Sequence, residues 1–200
     1  MKKIMFNDRY GLTDAVLSGR KTMTRRIIKG DFEEIKAYHA NGGWHFIADT
    51  KDWDSVEVKP AYEIGEKVAI AQAYQTLRWP ALPGIDWKAT THYVTHSKGW
   101  SNKMFVKAEY MPYRIRITNI KLERLQDISE QDCLKEGILI RNLQEASRNL
   151  QPFPEFTFED WSDYTYSARA AFAALIDRIS RKGTWNLNPW VFVYEFELIK

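Results

Sequence analysis

Three parts of the chain are predicted to be helical, and in two of them apolar residues recur at the spacing of an amphipathic helix. Within 12–16 they lie on one helix face, and Gly19 follows at the position where a left-handed residue often ends a helix. A second helix is predicted over 129–136, because a serine N-cap precedes an acid three positions later and Gly137 supplies the stop. The third and longest stripe, over 168–179, predicts a helix that packs one face on a core.

Alternating apolar and polar residues predict the strands. Residues 35–40 and 44–49 flank Asn41-Gly42-Gly43, and an Asn-Gly pair is a strong hairpin signal because both residues tolerate a positive φ. The 113–122 segment is the clearest long strand, and its apolar positions change phase near Thr118-Asn119, which predicts a β-bulge. Further strands are predicted at 56–58, 67–71, 90–96 and 191–198, the last of them half-buried.

These elements favour an α+β fold. Several strands with about three helices fit a small mixed β-barrel, or a curved sheet with the helices packed on it. A length of 200 residues suits a single domain over 1–200. Two segments interrupt the pattern: an aromatic-rich insertion around 72–104, typical of a lid or binding loop, and an irregular stretch around 141–163.

The composition is ordinary for a soluble globular protein. Hydrophobic residues make up 44% and charged residues 28%, and no apolar run approaches the ~20 residues needed to span a bilayer. No apolar signal core follows the first residues, so we expect a cytoplasmic protein with no membrane partner. The net charge of +3 and the pI near 8.8 are mildly basic and do not by themselves indicate a nucleic-acid partner.

The segment Gly19–Arg26 concentrates chemistry directly after the first predicted helix. It holds four cations and two threonines within eight residues. Alternation from Thr22 onward predicts a strand with the threonines and Arg26 on one face and Arg25 on the other. A solvated basic edge strand is an alternative interpretation, because Lys and Arg commonly protect sheet edges.

Charge is unevenly distributed along the chain. Cations cluster early and acids cluster late, and the opposite signs of the two clusters would let them face one another in the fold. The early cluster is Arg20, Lys21, Arg25, Arg26 and Lys29, and the late cluster is Glu123, Asp127, Glu130, Asp132 and Glu136.

Several kinds of site are not indicated by the sequence. The chain lacks the glycine-rich motifs of nucleotide-phosphate loops. His92 and His96 would lie about 13 Å apart on a strand, too far to share one ion, and no acid or thiol completes a site with His39 and His45. We therefore expect no metal and no cofactor. The single cysteine, Cys133, has no partner for an intrachain disulfide and is interpreted as core filler.

Three segments are informative when they are taken together. They are the basic segment Gly19–Arg25, the segment Leu125–Glu130, and the closing Asn188-Pro189-Trp190-Val191-Phe192. In that order they resemble the ASCH proteins of the PUA-like superfamily, especially the form often found in phages and prophages. The basic segment is similar to the GxKxxxxR-type signature of that family, with an arginine at both Arg25 and Arg26. The resemblance implies a PUA-like β-barrel with a cleft, a fold associated with RNA binding.

The resemblance also implies a set of catalytic residues. A much shorter bacterial relative is associated with hydrolysis of acetylated cytidine and is described as using a Lys, a Thr and a Glu. Its Lys and Thr lie in a GRKTxT segment that corresponds to Lys21 and Thr24 here. Its Glu corresponds to Glu136, by the spacing from the helix start at Ile128-Ser129-Glu130.

The chemistry of these three groups allows two interpretations. A threonine hydroxyl is a poor nucleophile unless a base takes its proton, and a lysine serves as that base when its pKa is lowered. Neighbouring arginines and burial would lower the pKa of Lys21, whereas Glu136 beside it would stabilise the ammonium form. The set is either an acid/base site or a salt bridge that holds a cleft together.

Three functions follow from these observations. The first is binding of RNA or a modified nucleoside in a cationic cleft, with Trp or Tyr side chains stacking on a base. The second is amide hydrolysis on an acylated nucleobase such as acetylated cytidine, with Thr24 as nucleophile, Lys21 as base and Glu136 as proton shuttle. The third is a phage protein-interaction module that uses the loop between Gln72 and Trp100. Candidate ligand-binding residues are Arg20, Lys21, Arg25, Arg26, Trp79 and Trp100.

Overall fold

The computed structural model of the chain describes residues 1–40, 43–51, 54–77, 94–142, 154–158 and 164–199. Its strands are β1 (Lys3–Ile4), β2 (Met23–Ile27), β3 (Phe32–Ala40), β4 (Gly43–Thr50), β5 (Ser55–Val58), β6 (Lys67–Ile70), β7 (Arg114–Arg124), β8 (Leu139–Asn142), β9 (Pro154–Thr157) and β10 (Trp190–Ile199). Its α-helices are α1 (Leu12–Leu17), α2 (Glu130–Lys135), α3 (Ala168–Ile179) and α4 (Thr184–Leu187). Short 3₁₀ helices lie in the connections at Asp8–Tyr10, Tyr74–Thr76, Lys103–Phe105, Ala108–Tyr110 and Leu125–Asp127.

Backbone hydrogen bonds join the described strands into three sheets. The largest has the order β1-β6-β7-β10-β2, with β1 parallel to β6 and each other neighbouring pair antiparallel. Strands β3, β4 and β5 form an antiparallel sheet, and β8 pairs with β9. The fold is therefore α+β, as predicted. Within the described residues the five-stranded sheet has β1 and β2 at its edges, and the PUA-like barrel remains a prediction.

Strand β10 lies inside the five-stranded sheet, where it pairs with β7 on one side and with the edge strand β2 on the other. The sequence predicts a half-buried strand, but every residue of 191–194 is buried, so this part of the prediction is wrong. Both faces are covered because Phe192 packs on Phe46 of β4 with ring centroids 5.0 Å apart, while Val191 joins the core that α3 closes. Tyr194 packs on Tyr62 in the same way, with ring centroids 5.3 Å apart.

The predicted β-bulge in β7 is confirmed. Asn119 pairs with Glu195, and Ile117 pairs with the next residue of β10, Phe196, so Thr118 is the extra residue on β7. The extra residue restores the apolar positions of β7 to the core side after the phase change in the sequence. A strand of this length therefore keeps its apolar face on the core along its whole pairing with β10.

The three predicted helices are present as α1, α2 and α3. Gly19 follows α1 with a φ of +78°, and the Ser129 hydroxyl accepts the Asp132 N–H at 3.1 Å as the N-cap of α2. Helix α4 was not predicted, because four residues between Gly183 and Asn188 are too few to show a helical period. Within the described ranges, no helix has the length and apolar character needed to cross a bilayer.

The predicted hairpin is confirmed by β3 and β4, whose final pair is Ala40 with Gly43. Its turn, residues 41–42, lies outside the described residues. The predicted strand at 90–96 is wrong where it is described, since the Ser97 N–H donates to the Val94 carbonyl in a helical turn. The stretch predicted as irregular, 141–163, instead contributes to the two-stranded sheet of β8 and β9. The other short strands predicted, at 56–58 and 67–71, correspond to β5 and β6.

Replacing Phe192 tests how strongly the contact between the two larger sheets stabilises the fold. Phe192→Ala should lower the free energy of unfolding by about 3–5 kcal/mol, because it leaves a cavity against Phe46. Tyr166→Ala, at a tyrosine that is 79% exposed, should change the same quantity by less than about 0.5 kcal/mol. Urea denaturation of both variants measures the difference, and equal stabilities would contradict this packing.

Candidate functional site

Lys21 lies where the ends of α1 and α2 meet. Its backbone N–H donates to the Ala15 carbonyl at 2.8 Å, and the next N–H, of Thr22, donates to the Lys135 carbonyl at 2.9 Å. These two hydrogen bonds hold the chain between the helices before it enters β2. The Lys21 side chain is consequently buried, with 2% of its surface exposed.

Lys21 and Glu136 form a buried ion pair. The Lys21 Nζ donates to Glu136 Oε2 at 2.5 Å and to the Glu136 carbonyl at 2.7 Å. That carbonyl is at the C-terminal end of α2, where carbonyls lack helical partners and a cation is favourable. Gly137 follows with a φ of +106°, and a Cβ there would lie 3.6 Å from the Lys21 side chain. The positive φ favours glycine at the end of α2, and the Lys21 stem packs beside it.

Arg25 holds the same carboxylate from the other side. Its Nη1 donates to Glu136 Oε1 at 3.1 Å, while its Nε and Nη2 donate to Glu123 Oε1 at 2.9 and 2.7 Å. The Nη2 also reaches Asp132 Oδ2 at 3.4 Å, and the guanidinium side chain is 1% exposed. Three carboxylates thus face two cations, and the predicted meeting of the early and late charge clusters is confirmed for these five residues.

The two cations differ in how readily they lose a proton. Burial lowers the pKa of Lys21 below its ordinary value, although the charge and hydrogen bond of Glu136 oppose the shift. Burial has the same effect on Arg25, but there Glu136 and Glu123 outweigh it and raise the pKa of the guanidinium. Arg25 therefore stays a cation, and Lys21 is the one of the two cations whose proton is held less tightly than usual.

A cavity of about 650 Å³ runs along the free edge of β2, and we call it the edge cavity. All three predicted catalytic residues, Lys21, Thr24 and Glu136, line it. Phe6 forms part of its wall, with its ring centroid 5.9 Å from the Lys21 Nζ, and α3 contributes an apolar wall. A buried acid/base pair thus opens onto a space large enough for a small ligand.

Thr24 reaches the edge cavity from the opposite face of β2 to Arg25. Thr24 pairs with Tyr194 of β10 and Arg25 pairs with Val193, and neighbouring residues of a strand point to opposite faces. Both line the edge cavity, which therefore curves around the edge of β2. Thr24 is buried, yet its hydroxyl makes no hydrogen bond to any residue that the structure describes.

The alternative interpretation of the segment Gly19–Arg26, as a solvated basic edge strand, is wrong in one respect. Strand β2 is indeed at a sheet edge, but Met23, Thr24 and Arg25 are buried because the connection before it and α2 cover them. Residue alternation alone cannot show this, since it does not reveal what packs against an edge.

The remaining predicted ligand-binding residues differ in position. Arg20 donates to the Gly137 carbonyl at 2.6 Å, and Arg26, at the wall of the edge cavity, donates to the Met5 carbonyl at 2.7 Å. Trp100 is not among the described residues that line the edge cavity. Trp79 lies outside the described residues. The tryptophan stacking role predicted for this site is therefore not seen at the described wall.

Other groups at the site were not singled out from the sequence. Glu123 and Asp132 were recognised only as members of an acid cluster, although both bind Arg25. Lys103 lines the edge cavity and donates to Asp8 Oδ1 at 2.7 Å, a contact between segments with no shared pattern. Cys133 is buried, and burial raises the pKa of its thiol to about 12, which agrees with its interpretation as core filler. In the described ranges, no group of three or more His, Cys, Asp or Glu is placed to hold a metal ion.

Neutralising Glu136 tests the energetic importance of the ion pair. Glu136→Gln leaves Lys21 buried without a counter-charge, so the free energy of unfolding should fall by about 3–5 kcal/mol. The matched control Glu195→Gln breaks an ion pair with Lys121 that is 29–45% exposed, and it should cost less than about 1 kcal/mol. Chemical denaturation at neutral pH provides the measurement, and a similar loss in both variants would contradict the assignment.

Comparisons of the chain with protein-family models, curated proteins and solved structures find no match. The ASCH resemblance therefore remains a prediction from the three sequence motifs.

Proposed function

We propose that the edge cavity binds a modified nucleoside and hydrolyses an amide on its base, such as the acetyl amide of acetylated cytidine. The observation that carries the proposal is the buried Lys21–Glu136 pair opening onto a cavity that Thr24 also lines. The substrate class comes from the resemblance to ASCH proteins, whereas the reaction type is supported by the chemistry of these three groups.

The position of the ion pair favours a chemical role over a purely structural one. Burying two charges costs several kcal/mol in desolvation, and apolar residues of similar volume often stabilise a fold as well or better. Here the pair lies beside an open cavity, and burial lowers the pKa of Lys21 toward the range where an amine acts as a base. Perturbed titratable groups at the wall of a cavity are typical of active sites.

The proposed reaction transfers an acyl group in two steps. Lys21 Nζ and the Thr24 hydroxyl are not hydrogen-bonded to each other in the structure, so the first step requires substrate binding to bring them into contact. Lys21, as the neutral amine, then takes the hydroxyl proton while the threonine oxygen attacks the acyl carbonyl carbon. The bond between the acyl carbon and the nitrogen of the nucleobase then breaks. The amino group of the nucleobase leaves with a proton that Lys21 or Glu136 supplies. Water then attacks the threonine ester and gives a proton to the Lys21–Glu136 pair. The ester bond breaks, the threonine oxygen takes that proton to restore its hydroxyl, and the carboxylic acid is released.

Arg25 supports this chemistry by orienting the carboxylate. Its guanidinium binds Glu136 Oε1 and leaves Oε2 directed at Lys21 Nζ, so one oxygen is fixed and the other exchanges the proton. Because Arg25 also binds Glu123 and Asp132, its position does not depend on Glu136 alone. The Thr24 hydroxyl has no competing partner among the described residues, which leaves it available to a substrate carbonyl.

A free nucleoside is better supported here than an RNA strand. Phosphate binding needs cations with free donors, but Lys21 and Arg25 are paired with carboxylates, and Arg20 donates to a backbone carbonyl. The buried end of the edge cavity, around Glu136, therefore offers little compensation for a phosphate backbone, whereas Arg9, Arg26 and Lys103 line other parts of its wall. The protein-interaction hypothesis concerns a loop whose residues 78–93 lie outside the described part of the chain.

Variants at Thr24 test the nucleophile. With acetylated cytidine as substrate, Thr24→Val removes the hydroxyl at nearly constant shape and should reduce kcat by about 100-fold or more, whereas Thr24→Ser should retain activity. Chromatography measures the release of acetate and cytidine. Lys36→Met, at an exposed lysine far from the edge cavity, serves as the control. If both Thr24 variants hydrolyse the substrate like the wild type, the nucleophile is not Thr24; if the wild type binds it without turnover, the protein is a binding protein.

The pH dependence of kcat/KM tests Lys21 as the base. Activity should rise with pH as Lys21 loses its proton, and this acid limb should lie below the ordinary lysine pKa of 10.5, because burial lowers the pKa of Lys21. Glu136 raises the pKa of Lys21, so Glu136→Gln should move the limb to lower pH while it reduces the rate. A limb that stays in place, or moves to higher pH, in this variant would rule Lys21 out as the titrating group.

A further inference from the structure

A second cavity, of about 830 Å³, lies between the three-stranded sheet and the β7 and β10 side of the five-stranded sheet. We call it the intersheet cleft, and it shares no described lining residue with the edge cavity. Its volume is in the range of small-molecule sites. The residues that define it are Trp44, Phe46, Tyr62, Ile120, Leu122 and Trp190.

Trp44 forms one wall because β4 extends beyond the core. Phe46 packs on Phe192, and Trp44, two residues away on the same face of β4, has no such cover and is 61% exposed. Its ring lies edge-on to that of His39, its cross-strand partner, at 5.6 Å. A large aromatic side chain is thus held over a concave surface without being part of the core.

Trp190 forms the opposite wall and is fixed from behind. The guanidinium carbon of Arg124 lies 4.4 Å from the Trp190 ring centroid, and Arg124 donates to the carbonyls of Asn188 and Glu33 at 3.3 and 2.7 Å. Trp190 lines the intersheet cleft and Arg124 does not, so the guanidinium holds the ring without occupying the cleft. The indole is therefore a preorganised surface for stacking.

Cations of the protein already lie against two of the rings that line the intersheet cleft, which weakens the cation–π attraction that these rings offer a ligand. Arg124 already lies on Trp190, and the Lys2 Nζ lies 5.9 Å from the centroid of Tyr62. A ring whose electrons are drawn toward one cation attracts a second cation less, but it still stacks on an uncharged planar ring.

The charges at the rim also disfavour a phosphate. The intersheet cleft is lined by two carboxylates, Glu57 and Glu63, and by one ammonium group, Lys59, which is paired with Glu57 at 3.0 Å. A ligand with a phosphate would therefore meet a net negative surface. An uncharged ring without a phosphate fits both the walls and the rim.

We propose that the intersheet cleft is a second binding site, which takes an uncharged planar heteroaromatic ring, such as the base of a free nucleoside, by stacking on Trp44 and Trp190. The site goes beyond the proposed hydrolysis and does not depend on it, since the two cavities have separate walls. Aromatic stacking tolerates different rings, so the site selects for flatness and absence of charge more than for one base.

The test is a titration of the full chain with adenosine, followed by nuclear magnetic resonance of the backbone amides. Adenosine should cause saturable shifts at Trp44, Phe46 and Trp190. Adenosine 5′-monophosphate and choline, which carry a phosphate and a quaternary ammonium, should bind more weakly. Trp44→Ala should weaken adenosine binding about fivefold or more, and Trp44→Phe, which keeps a ring, should restore most of it.

Two controls separate this proposal from the hydrolase proposal. Tyr166→Ala, at an exposed aromatic residue that does not line the intersheet cleft, should leave adenosine binding unchanged. Trp44→Ala should hydrolyse acetylated cytidine like the wild type, because Trp44 does not line the edge cavity. Shifts confined to the edge cavity, tighter binding of choline than of adenosine, or equal affinity in Trp44→Ala would each overturn the second site.

Discussion

The site depends on one carboxylate that two cations share. Glu136 receives Lys21 on one oxygen and Arg25 on the other, and the two cations come from a connection and a strand more than 100 residues away in the sequence. Neither cation is exposed, so neither exchanges its partner for water at low cost. The geometry of β2, the end of α2 and the wall of the edge cavity are therefore coupled through this group. The two cations differ in that the Arg25 guanidinium stays charged, whereas the Lys21 amine is the group proposed to take up and release a proton.

Much of the local structure could be predicted from the sequence because it is determined by neighbours in the chain. The Ser129 cap, the positive φ of Gly19 and the extra residue at Thr118 each follow from a few consecutive residues. The two-sided burial of β10 could not be predicted in this way. Its Val and aromatic residues are apolar on both faces, and the pattern does not tell whether a second layer covers the strand.

The candidate site could be predicted only in part. Charge clustering indicated that early cations and late acids meet, and the resemblance selected Lys21, Thr24 and Glu136, which do line one cavity. The ion pairs of Arg25 with Glu123 and Asp132 depend on the register of β7 beside β10, and no local sequence pattern specifies that register. The intersheet cleft was not predicted at all, because its walls come from five strands and a connection that meet only in the folded sheet stack.

The position of β10 between β7 and β2 also affects how the chain can fold as it is synthesised. Residues 190–199 lie between β7 and β2, so those two strands cannot be joined into one sheet until this segment has left the ribosome. Until then, the edges of β7 and β2 that β10 will cover present unpaired amides and carbonyls, a surface prone to association with other chains. Acquisition of the native sheet thus waits for β10 to be synthesised, and chaperones that shield nascent strands would act during the long interval between β2 and β10.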